Sequence, residues 1–119
     1  MDKWETLHQK ECRLRVKEEI NDSEIRQIQR LTEAYESHFH EAQHLLEDLD
    51  DLFYKHDRHS FYESVKEEFY QESRDVQNYL EESNNELTSE KWELQGKLDE
   101  VAYEKRQVIL TEKEKLHEY

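Results

Sequence analysis

The residues best equipped for chemistry stand together at His40-Glu41-Ala42-Gln43-His44. On a helix, histidines four apart share a face. Two imidazoles there can hold zinc while the Glu acts as a general base. This is the H-E-x-x-H pattern, and a zinc metallohydrolase is the remote reading it allows. Chance competes with that reading. The chain has 7 His and 23 Glu in 119 residues, and independent placement yields the pattern roughly once in thirteen such chains. A zinc enzyme also needs a third ligand, which no Gly-rich turn is present to deliver, and a cleft that excludes solvent, which a thin hairpin does not offer. No Ser–His–Asp, Cys–His or phosphate-loop arrangement occurs. The chain therefore reads as non-enzymatic and free of cofactors, with His40 and His44 as adventitious metal ligands at most, aided by His38. Cys12 is alone, so no internal disulfide forms, as suits a reducing compartment.

The elements that must position these residues are helices. Pro is absent, Gly96 is the one glycine, and 40% of residues are charged against 34% hydrophobic. Sheets and tight turns draw on Gly and Pro, whereas this composition suits long solvated helices. In the first half Trp4, Ile25, Phe39, Leu46 and Phe53 share one seven-residue lattice. Leu7, Leu14, Ile28, Tyr35, Ala42 and Leu49 share the same lattice displaced by three. That is an a/d seam. Leu31, Leu45 and Leu52 widen one flank, and Glu11, Glu18, Asn21 and Thr32 interrupt it. Asn21 fits either a register-setting polar layer or a local imperfection. His40 and His44 fall opposite this seam and should face water.

The second half carries its own seam through Tyr62, Val65, Phe69, Val76, Leu80, Leu87, Leu94, Leu98, Val101 and Val108. Between the halves, Ser60-Phe61-Tyr62-Glu63 fits a capping box, in which the Ser accepts from an orphan backbone N–H and the Glu reaches back. The expected fold is all-α: a long antiparallel, coiled-coil-like two-helix hairpin, one domain over 1–119. Its arms run over about 3–55 and 60–117, with the turn at about 56–59. Folded there, Phe53 faces Tyr62, Leu46 faces Phe69, Phe39 faces Val76, Leu14 faces Val101, Leu7 faces Val108 and Asn21 faces Leu94. Leu49 opposite Lys66 fits poorly. Trp92, Tyr103 and Leu110 lie on a separate face of the second arm. They are either scattered surface apolars or an interface completing a bundle with partner helices.

The formal net charge is −14, which disfavours nucleic acid and the anionic face of a membrane. Residues 31–90 hold four basic and seventeen acidic side chains, while residues 91–119 hold six and seven. That pole is either a solubilising face or a field that steers a partner with a basic surface. The opening Met1-Asp2-Lys3-Trp4-Glu5 has no apolar signal region and no stretch approaches membrane-spanning length, so the chain reads as cytoplasmic.

A small acidic hairpin of this outline, with stretches such as Ser73-Arg74-Asp75-Val76-Gln77-Asn78-Tyr79-Leu80-Glu81-Glu82 and Asp99-Glu100-Val101-Ala102-Tyr103-Glu104-Lys105-Arg106, resembles the LXG-associated α-helical (Lap-type) small partner proteins of Gram-positive type VII secretion. The resemblance runs over the whole chain and rests on its architecture and these stretches. It implies a targeting adaptor or chaperone. Such a protein binds the helical N-terminal domain of an LXG toxin, with a second small helical partner completing an elongated export complex. Co-export with the toxin is left open. Related exported hairpins carry W-x-G at the turn and Y-x-x-x-D or F-x-x-x-D near an end. This chain has neither W-x-G nor Y-x-x-x-D, and its Phe53-Tyr54-Lys55-His56-Asp57 lies at the turn. That position implies an adaptor that leaves the signal to its partners. The residues expected to bind a partner are Trp4, Phe53, Tyr54, Asp57, Phe61, Trp92 and Tyr103, since aromatic anchors dominate such interfaces. The rival reading is a self-associating structural coiled-coil protein, a homodimer when alone.

Overall fold

A computed structural model describes residues 2–117. Met1, Glu118 and Tyr119 of the expected 1–119 domain lie outside the described residues. The fold is an all-α helical hairpin with helix α1 over Lys3–Phe53 and helix α2 over His59–His117. Contacts divide it into two units: Met1–Ile25 with Glu86–Tyr119, and Arg26–Asn85.

In the first unit Leu7, Leu14, Leu94, Leu98 and Val101 form a buried cluster, with Val108 packed against it. All six come from the expected seam, and burying such side chains is the main stabilising term of a helical pair. The interruption at Glu11 has a partner that makes it tolerable. Lys105 brings its ammonium 3.5 Å from the Glu11 carboxylate, and the same Nζ sits 3.1 Å from Nδ1 of His8 and 4.5 Å over the Trp4 ring. Trp4 itself stacks on His8 with ring centroids 4.9 Å apart. Asn21 is buried and donates from Nδ2 to the Leu87 carbonyl at 3.0 Å. It was expected opposite Leu94, and its amide reaches a carbonyl one heptad closer to the turn.

In the second unit Phe53 stacks on Tyr62 at 5.5 Å, as the register requires. Lys66, the misfit opposite Leu49, reaches 4.0 Å from the Asp50 carboxylate. Phe39 was expected opposite Val76. Its ring stacks on Phe69 at 5.6 Å and meets the edge of Tyr70 at 6.2 Å. Three rings fill that layer, Ser73 is buried in the same stretch, and Val65 and Val76 are left exposed. Leu31, Leu45 and Leu52, the expected flank, are exposed too.

The turn is longer and starts earlier than expected. α1 ends at Phe53 rather than near residue 55, and α2 begins at His59 rather than Ser60. The cause is local. Lys55 adopts φ 67°, a left-handed conformation that stops a helix and usually falls to Gly or Asn. His56 N–H then donates to the Phe53 carbonyl at 2.9 Å. The Ser60 capping box does not form. The His56 imidazole accepts from the Arg58 N–H at 3.1 Å, and the Arg58 carbonyl accepts the first helical bond, from Tyr62 N–H. Ser60 thus lies inside the helix, where its carbonyl accepts the Ser64 hydroxyl at 3.1 Å.

Tyr62 joins the arms beside the turn. Its buried hydroxyl donates to the Leu46 carbonyl. Burial pushes this phenol above its ordinary 10.0; Asp50, Glu63 and Tyr70 add to the rise, and Lys66 opposes it. The sign follows from linkage. As pH climbs past about 10, the unfolded chain loses this proton while the folded chain keeps it. The stabilisation is therefore whole below about pH 10 and is lost as pH rises through the higher folded value. Tyr62→Phe is expected to cost about 1 kcal/mol at neutral pH. Thermal melts between about pH 8 and about pH 11 should show the parent losing more stability than this variant. Parallel losses would show that Tyr62 is not the group responsible.

A candidate partner-binding surface

The seven expected partner-binding residues divide by their distance from the seam. Trp4 and Phe53 are half-buried, held by His8 and Lys105 in one case and by Tyr62 in the other. Their lattice positions make them seam residues first, so neither is a freely exposed anchor. Tyr54, Phe61, Trp92 and Tyr103 are exposed, as is Asp57. Tyr54 and Phe61 flank the turn in the second unit. Lys55 lies over the Tyr54 ring at 5.7 Å.

Trp92 and Tyr103 lie on the outer face of α2 in the first unit, 66% and 57% exposed, with Leu110 at 52% on the same face. Off-seam aromatics of this size gain by being covered: each offers roughly 150–250 Å² for burial. Ile20 and Val16 are exposed on α1 in the same unit, and sequence reasoning passed over both. Their spacing of four on the flank away from Leu14 was the available signal.

The histidine pattern is solvent-exposed. His40 and His44 both face water. Glu41 lies 4.0 Å from His38, and His44 lies 3.7 Å from Glu47. The described residues that come close enough to hold a metal ion are different ones: Asp50, His59 and Glu63, whose ligand atoms all lie within 4.8 Å of one another. His59 and Glu63 also lie 3.4 Å apart, and Asp50 has Lys66 beside it. These are ion-pair arrangements among half-buried side chains beside the turn. Sequence reasoning missed them because Asp50 and His59 sit on different arms.

A model for one protein family matches residues 2–108, which spans α1, the turn and most of α2. The chain belongs to this family, DUF3958. It is described as a protein family of unknown function, and the matched segment contains all seven expected partner-binding residues. No curated protein and no solved structure matches the chain. Among the described residues no helix is long and apolar enough to cross a membrane.

Proposed function

We propose that this DUF3958 chain is a non-enzymatic adaptor that binds the helical N-terminal domain of an LXG toxin and targets it for type VII secretion. The observation that carries the reading is the exposure of Tyr54, Phe61, Trp92 and Tyr103, off the seam along which the arms bury Leu7, Leu14, Leu94, Leu98 and Val101. A two-helix pair buries one stripe per helix, so further apolar faces are available to partner helices that complete a bundle. The acidic stretch over residues 31–90 supports a partner with a basic surface, drawn in by long-range attraction. The same reading puts the chain in the cytoplasm, where its cargo is made.

The test is co-expression with the helical N-terminal domain of an LXG toxin, followed by size exclusion with light scattering. A stoichiometric complex that melts above either component is expected. Phe61→Ala should weaken binding by about 2 kcal/mol, near 30-fold, as anchor truncations do. Affinity should also fall roughly tenfold between about 50 mM and about 500 mM salt. No complex with such a domain under any of these conditions refutes the toxin reading. A complex indifferent to salt refutes the electrostatic part alone.

A further inference from the structure

The one glycine of the chain stands where the hairpin has no use for it. Gly96 lies inside α2, is exposed, and a Cβ built there meets nothing within 4 Å. Glycine within a helix costs about 1 kcal/mol relative to alanine, and here no close approach within the chain offsets that. Its neighbours on the helix surface follow at intervals of four and three: Trp92, Gly96, Asp99, Tyr103, Arg106 and Leu110. These positions form one stripe about 27 Å long, and all six are exposed. Neither Asp99 nor Arg106 makes an ion pair or side-chain hydrogen bond among the described residues.

Reversed, the stripe complements itself. Trp92 comes opposite Leu110, Gly96 opposite Arg106, and Asp99 opposite Tyr103. We infer that this face of α2 is the interface of an antiparallel homodimer, covered by the same face of a second copy. Two-fold symmetry makes each pairing twice. Arg106 of the second copy crosses at Gly96, where no side chain blocks it. Its guanidinium then has the Trp92 ring on one side and the Asp99 carboxylate on the other, a cation–π contact joined to an ion pair. Tyr103 of the second copy donates its hydroxyl to Asp99. Charge permits the contact: residues 91–119 carry six basic and seven acidic side chains, so two copies meet there without the repulsion that residues 31–90 would bring. The stripe is short, and such interfaces are weak, with Kd on the order of 10 µM. The inference stands apart from the toxin reading. A partner helix that uses Trp92 and Tyr103 would compete with the second copy.

Sedimentation of the full chain from about 1 to about 200 µM tests it. A concentration-dependent monomer–dimer equilibrium is expected. Asp99→Arg and Arg106→Asp should each weaken the dimer tenfold or more, and the two together should restore it. Gly96→Leu should raise the melting temperature of the monomer yet abolish the dimer, a pairing of effects that a surface glycine without a role would not produce. All four variants lie on the exposed face, and circular dichroism would confirm that each remains helical. A chain that stays monomeric throughout overturns the inference. So does a dimer indifferent to the single charge reversals or not rescued by the double one.

Discussion

Val101→Asp is expected to abolish most of the helical signal of the isolated chain at 25 °C. Val101 is 1% exposed and lies in the cluster with Leu7, Leu14, Leu94 and Leu98. A carboxylate placed there loses its hydration and finds only aliphatic carbon, which costs about 3–5 kcal/mol even after local relaxation. The molecule has little to set against that. Only eight hydrophobic side chains are buried among the described residues, and small cores of this kind supply on the order of 3–5 kcal/mol in total. Helices need the seam, because isolated helices of ordinary composition are marginal in water. Leu116→Gln is the control. Leu116 is highly exposed, and its loss should change stability by less than about 0.5 kcal/mol. Circular dichroism melts of the three proteins decide the matter. Val101→Asp melting within about 1 kcal/mol of the parent would mean that the cluster does not hold the arms together.

That seam was readable because heptad spacing is a property of helix geometry and survives ignorance of the partner. Leu7, Leu14, Leu46, Tyr62, Leu80, Leu94, Leu98 and Val101 are all buried and all lie on the expected lattices. What could not be read was anything that depends on how two arms meet within a turn of helix. Phe39 stacking on Phe69, and Asn21 donating to the Leu87 carbonyl, are diagonal contacts that reach one heptad along a register which Phe53–Tyr62 and Glu11–Lys105 keep. Spacing says which residues share the seam, not how far a long side chain leans along it. Glu11 looked like a flaw until Lys105 arrived from the far arm. The helix ends at the turn differ from the expected bounds by one or two residues for another reason. Lys55 takes the left-handed conformation without being Gly or Asn, so the residue types that mark such a stop were missing. The candidate surface was legible where it depended on phase: Trp92 and Tyr103 lie off the seam and are exposed. It was not legible for Trp4 and Phe53, which satisfied both the seam and the list of anchors. Packing assigned them to the seam.

Asn21→Leu is expected to stabilise the hairpin and at the same time make it less definite. Asn21 is 1% exposed; its Nδ2 is satisfied by the Leu87 carbonyl, but Oδ1 is buried with no partner. An orphaned acceptor costs about 1–3 kcal/mol, and an apolar side chain of similar volume removes that penalty while adding buried surface. A gain of about 1–2 kcal/mol follows, seen as a rise of roughly 5–10 °C in melting temperature. The hydrogen bond has a direction, however, and a leucine contact has none. Sliding α2 by a heptad along α1 offers leucine much the same company, whereas Asn21 keeps its hydrogen bond only if the carbonyl brought opposite it is equally open to a second donor. The residue is thus argued to hold register at the expense of stability, as single buried amides do in coiled coils. Amide proton–nitrogen spectra of the variant should show doubled or broadened peaks for residues near Leu87. A variant that is less stable, or one that is more stable with a single sharp set of peaks, leaves Asn21 as a local imperfection and removes its role in register.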